Sequence, residues 1–164
     1  MIRGEAREGE DEMKYRNSLL VVKDLERSLK FYQNVLGLHK IADFGANMTL
    51  TGGISLQTQE SWLEFIGRKP SDLTYGGNVS ELYFEEEDYD AFLKRLEGAE
   101  LVHPPMEHRW GQRAVRLYDP DLHVVEVAEP LTTVACRFRD AGLTEEGIAK
   151  RMNVPPAMVR RLLK

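Results

Sequence analysis

The chain has 164 residues, 42% of them hydrophobic and 30% charged, with a formal net charge of -5. That length suits one packed domain with an appendage and excludes two large ones, and no apolar run approaches the ~18 residues of a membrane span. The acidic balance argues against nucleic acid as the main partner, and the single cysteine, Cys136, excludes an internal disulfide or a thiolate zinc cluster.

In chain order, residues 1–14 read as an acidic leader with no basic-then-apolar targeting pattern, so a cytoplasmic protein is expected. "NSLLVVKDLERSLKFYQNVLG" reads as strand, turn and helix. Asp24 stands in the N-cap position, Leu25, Leu29, Tyr32 and Leu36 follow at helical spacing, and Gly37 closes the helix. "HKIADFGANMTLT" and "GGISLQTQ" then read as strands. "ELYFEEEDYDAFLKRLEG" repeats the first plan, with Asp88 before Tyr89, Phe92, Leu93 and Leu96. Laying Asp24 on Asp88 sets Asn17 opposite Glu81. "AELVHPP", "QRAVRLYD" and "HVVEVAEP" complete the second set of strands, punctuated by Pro-Pro and by Asp119-Pro120-Asp121.

The expected fold is α+β: two tandem β-α-β-β-β modules, at about 15–66 and 78–130, whose sheet has its helices on one side and a cleft on the other, plus a C-terminal helical extension. Strand alternation gives four strands a face fit to lie under a helix. On the opposite face each carries one polar residue: Asn17, Gln57, Glu81 and Glu126. The same alternation turns Tyr83, Gln112 and Arg116 into the cleft. An arginine there offers a two-bond fork for a carboxylate or phosphate, or else pairs with the two acids. His108 and Trp110 precede that strand in a loop, as a lid over a flat substrate or as a plug at the sheet edge. His123 falls on the helix side and reads as structural.

"VVKDLERSLKFYQNVLGL" and "RLYDPDLHVVEVAEP" resemble the two ends of the glyoxalase, bleomycin-resistance and extradiol-dioxygenase group, the vicinal oxygen chelate superfamily, over roughly residues 15–130. The resemblance implies that each module forms half of a partly closed curved sheet around the cleft, and it implies a small-molecule ligand, often a homodimer, and a divalent metal held at Asn17, Gln57, Glu81 and Glu126. Only Glu126 carries the residue usual in metal-binding relatives. An all-oxygen set of this kind suits Mg, Mn or Ca better than Zn or Ni. With metal, the activity implied is that of a lyase, isomerase or dioxygenase, with Glu126 and Glu81 as catalytic groups. Without it, one of the two carboxylates would carry a raised pKa and act as acid or base, the cleft would sequester a ligand without chemistry, or Glu81 would only brace the sheet.

Residues 131–164 carry seven Lys or Arg (137, 139, 150, 151, 160, 161, 164) against three acids (140, 145, 146). "LTTVACRFRDAG" reads as a helix, Thr144 caps "EEGIAKRMN", and Pro155-Pro156 open "AMVRRLLK". Residues 143–163 resemble a bacterial helix-turn-helix, so residues 143–164 are either a nucleic-acid contact or a helical cap.

Overall fold

The computed structural model describes residues 13–164, and the leader expected at 1–14 lies almost entirely outside the described residues. Strand β1 (Ser18–Val22) leads to helix α1 (Leu25–Asn34), then β2 (Lys40–Asp43), β3 (Asn47–Leu50), β4 (Ile54–Thr58) and α2 (Gln59–Ile66). After a 3-10 turn the plan repeats as β5 (Glu81–Glu85), α3 (Tyr89–Lys94), β6 (Leu101–Glu107), β7 (Arg113–Tyr118) and β8 (Val124–Ala128). Helices α4 (Leu131–Asp140), α5 (Glu145–Met152) and α6 (Pro156–Leu162) end the chain.

Two four-stranded mixed sheets result, ordered β1-β4-β3-β2 and β5-β8-β7-β6, and they do not close into one barrel. In each, the first strand pairs in parallel with the last and the remaining pairs are antiparallel. The N-caps work as the residues demand: Asp24 accepts the Arg27 backbone N–H and Asp88 that of Ala91. Helix α2 is absent from the sequence reading, which stops at Gln59. Thr58 caps it by accepting from Ser61, and Gly67, in the left-handed region, ends it.

A second difference concerns Pro104-Pro105, read as punctuation between strands. The structure runs β6 straight through both prolines, with a register shift between His103 and Met106. Strand β6 is the sheet edge, and the register shift takes both prolines, which lack an N–H, out of the ladder with β7.

One face of each sheet is greasy and lies under its helices. Val22, Leu29, Tyr32, Leu50 and Leu56 form the first core; Tyr89, Phe92, Val115, Leu117 and Val125 form the second. Each fully buried large side chain contributes about 1.5–3 kcal/mol. Phe31, Leu36 and Phe84 touch both cores, so the modules share one interior. The β7–β8 turn locks them together. Asp121 accepts from the Lys23 backbone N–H and from Arg27, while Asp119 accepts the Tyr32 hydroxyl at 2.9 Å.

Helices α4–α6 build a third core from Val134, Ala135, Phe138, Ile148, Met152 and Val159. They dock on the second module where Arg137 donates to the Gly111 carbonyl and to Glu129.

Candidate functional site

The face of the second sheet away from its helices carries the polar side chains, and the register lines them up. Tyr83 lies opposite Glu126, Glu126 opposite Arg116, and Arg116 opposite His103. Directly opposed residues point to the same side, so β5, β8, β7 and β6 contribute one residue each to a row across the sheet. Glu81 stands two residues before Tyr83 on β5, on that same side.

Arg116 is the centre of this row. Its Nε donates to Glu81 Oε2 at 2.8 Å, one Nη donates to Glu126, and the other lies 3.4 Å from His103 Nε2. The two carboxylates share one guanidinium yet differ in exposure: the Glu81 side chain is 38% exposed, that of Glu126 only 6%. Their acidities split accordingly. The hydrogen bond from Arg116 holds Glu81 below the usual carboxylate range, whereas burial, reinforced by the Glu81 carboxylate, pushes Glu126 above it. Glu81 therefore ionises first and Glu126 retains its proton to higher pH. The bond to Glu81 raises Arg116 in turn, which keeps the guanidinium charged throughout.

A second cluster adjoins the first. Gln112 is buried and donates through Nε2 to the Tyr83 hydroxyl and the Glu129 carbonyl, while its Oε1 accepts from Trp110. Trp110 and His108 stack on each other, with centroids 4.3 Å apart and planes 7° from parallel. One face of each ring is thereby covered, so a flat ligand meets at most the outer faces. Burial, with the positive charge of Arg116, pushes His108 below the usual imidazole range.

The first module contributes differently. Gln57 is buried; its Oε1 accepts from Asn47 at 2.7 Å and its amide donates to Ser61. Gln57 and Asn47 are register partners, as are Glu126 and Arg116, so each module pairs its last-strand residue with a side chain on the preceding strand. Asn17 sits ahead of β1 and is exposed. Of the positions Asn17, Gln57, Glu81 and Glu126, only Glu81 and Glu126 converge on one atom group, and that group is a guanidinium. Among the described residues, no cluster of three or more His, Cys, Asp or Glu is arranged to hold a metal ion. The set as it stands does not fit a divalent metal: a dication would have to evict a charged arginine from between its two carboxylate partners.

A cavity of about 440 Å³ opens over Glu81 and Arg116, walled by Asn78, Val79, Ser80, Val102 and Val124. A second, of about 210 Å³, lies between β1 and β5 against Ser18, Leu20, Glu81 and His123. Sequence reading assigned no role to His103 or to the 78–80 segment. Alternation counted back from Arg116 does not reach His103, because the chain crosses to another strand there and the register shifts.

Residues 15–132 match the model of the family described as Glyoxalase-like domain. A solved structure of a protein of unknown function from Agrobacterium tumefaciens str. C58 is 38% identical; the match covers 73% of this chain and 96% of that one, with a TM-score of 0.67. A glyoxalase/bleomycin resistance protein/dioxygenase family enzyme from Burkholderia phytofirmans PsJN is 20% identical over 71% of this chain and 98% of its own, with a TM-score of 0.63. A glyoxalase-related enzyme from Fulvimarina pelagi is 19% identical over 74% and 91%, with a TM-score of 0.63. The last two bear on the fold alone. A comparison with curated proteins gives no match.

Proposed function

The chain belongs to the glyoxalase-like domain family, and from that premise we propose that it binds a small oxygen-rich metabolite over Arg116, with Glu126 as the group that takes or gives a proton. The observation that carries this reading is the Arg116 guanidinium, which lines the 440 Å³ cavity together with the exposed carboxylate of Glu81 and is bonded to the buried carboxylate of Glu126. A carbonyl or carboxylate oxygen of the ligand accepts from the guanidinium, and a hydroxyl donates to Glu81. Glu126, with its pKa raised by burial, is suited to abstract a proton from carbon beside a carbonyl. Negative charge then gathers on the carbonyl oxygen, where the fixed cation of Arg116 stabilises it. Sequestration without chemistry shares the binding step and lacks the proton transfer.

One substitution separates the two. Glu126→Gln keeps the shape and an acceptor for Arg116 and removes the proton carrier. In an enzyme, ligand affinity stays within about tenfold while turnover falls by about 10²–10⁴. The check is a panel of hydroxy acids, keto acids and diols, scored by thermal shift and then by product formation. A panel member that binds wild type and is turned over equally well by Glu126→Gln removes Glu126 from the chemistry.

A second reading concerns residues 143–164 and is favoured by the packing of α5 and α6 on α4 in a core of their own, the support a helix-turn-helix needs. Asn153, in the left-handed region, makes the turn between α5 and α6. Arg151 reaches Glu107 and Arg160 reaches Glu145, while Lys150, Arg161 and Lys164 are exposed. Binding of mixed-sequence duplex DNA at low salt, lost in Arg160→Ala/Arg161→Ala/Lys164→Ala, is the expected result. The salt slope should fall by about 0.9 for each phosphate contact removed. No mobility shift at low salt leaves α4–α6 as a helical cap.

A further inference from the structure

We propose that Arg116 is a built-in cation standing where a divalent metal would sit, and that removing it alone creates a divalent-metal site held by Glu81, Glu126 and His103. The inference rests on the preceding reading only in placing the ligand at these residues. Three nitrogens of the guanidinium each face one side chain of a metal-ligating type. Nε meets Glu81, one Nη meets Glu126, and the other Nη meets His103 Nε2 at 3.4 Å.

The tautomer of His103 follows from its other nitrogen. Nδ1 lies 2.8 Å from the Pro104 carbonyl oxygen, which can only accept, so Nδ1 carries the hydrogen. Nε2 then presents its lone pair to Arg116, the state a metal ligand requires, and the carbonyl fixes the ring as outer partners of ligating histidines do. Two carboxylates and one imidazole are a sound donor set for a divalent ion with water in its remaining positions.

Arg116 supplies one positive charge where that ion would supply two, and it fills the space between the ligands. The other module gives the neutral version of the same pairing. There Ser55 and Thr49 hold the register positions of Glu126 and Arg116, with hydroxyl oxygens 3.5 Å apart and no charge to balance. A metal entering wild type would break two charge-assisted bonds and leave the guanidinium without a partner. In Arg116→Ala the opposite holds. The two carboxylates, one of them buried, face a hole with no counter-charge, and a cation relieves both.

The experiment is a titration of full-length, metal-stripped protein with Mn²⁺, followed by calorimetry and by loss of the free-ion paramagnetic resonance signal. Wild type is expected to take no stoichiometric Mn²⁺. Arg116→Ala is expected to take one equivalent, at least about tenfold more tightly than wild type, and Arg116→Ala/His103→Ala should lose that gain. If Arg116→Ala does not fold, Arg116→Met, which keeps the aliphatic stem, carries the same comparison. One equivalent of Mn²⁺ in wild type that Glu126→Gln abolishes overturns the proposal, as does a folded Arg116 variant that binds no more Mn²⁺ than wild type. Failure of every metabolite in the ligand panel leaves this comparison untouched.

Discussion

Asp119→Ala lowers the unfolding free energy by about 4 kcal/mol, seen as a drop in Tm of about 10 °C. Asp119 is 2% exposed and accepts four bonds, from the Tyr32 hydroxyl, the backbone N–H groups of Asp121 and His123, and the His123 ring, each at 2.9 Å. Tyr32 belongs to the first module and is wholly buried, so its orphaned hydroxyl has no water to turn to. An unmatched buried donor costs about 1–3 kcal/mol, and the loss also unties one of the two aspartates that join the modules. Burial works against the Asp119 charge, yet the bonds from His123 hold its pKa below the usual range. A carboxylate depressed in the folded state contributes stability that is present above its unfolded pKa and lost as pH falls through the folded one. The gap between wild type and Asp119→Ala should therefore narrow in acid. A gap that is small at pH 7, or constant with pH, would contradict this role.

Gly111→Ala costs about 2–4 kcal/mol and loosens the C-terminal helices while sparing the sheets. Gly111 has φ +89°, where a side chain is strained, and a Cβ there would lie 2.2 Å from Phe138 Cζ and 2.6 Å from Cε2. Phe138 cannot step aside easily, because the Arg137 and Arg151 guanidiniums each lie 5.4 Å from its ring centre. Helix α4 must move, which pulls Arg137 from the Gly111 carbonyl and from the buried carboxylate of Glu129. Hydrogen exchange is the check, with faster exchange expected across 131–163 and unchanged protection in β4 and β8. Equal exchange in the tail of variant and wild type would show that the contact is not what docks it.

Much of the architecture was written in local chemistry. Asp24 and Asp88 are caps that only make sense before helices, and the alternation around Gln57 and Glu126 separates the apolar side of each strand, which joins the core, from its polar side. What was illegible depends on pairing between strands. The sequence offers Arg116 as either an anion fork or a partner of the two acids, because alternation gives a side chain its face and not its neighbour. The register supplies the neighbour and draws Tyr83, Glu126, Arg116 and His103 into one row. His103 was hidden by the register shift beside Pro104. The Asp119-Pro120-Asp121 segment read only as a turn, since nothing local says that its carboxylates reach across to Tyr32 and Arg27. Gln57 is among the expected metal positions, and only the fold shows that its amide is bonded to Asn47 and Ser61.

The claim that the ligand sits on Arg116 is tested most directly by following the arginine Nε–H signals in a proton–nitrogen spectrum while hydroxy and keto acids are titrated in. The Arg116 signal, assigned by its absence in Arg116→Lys, is predicted to shift with saturation at one equivalent, and Arg116→Lys is predicted to bind at least about tenfold more weakly. A ligand that saturates the protein while the Arg116 signal stays still, and that binds Arg116→Lys equally well, would contradict the account.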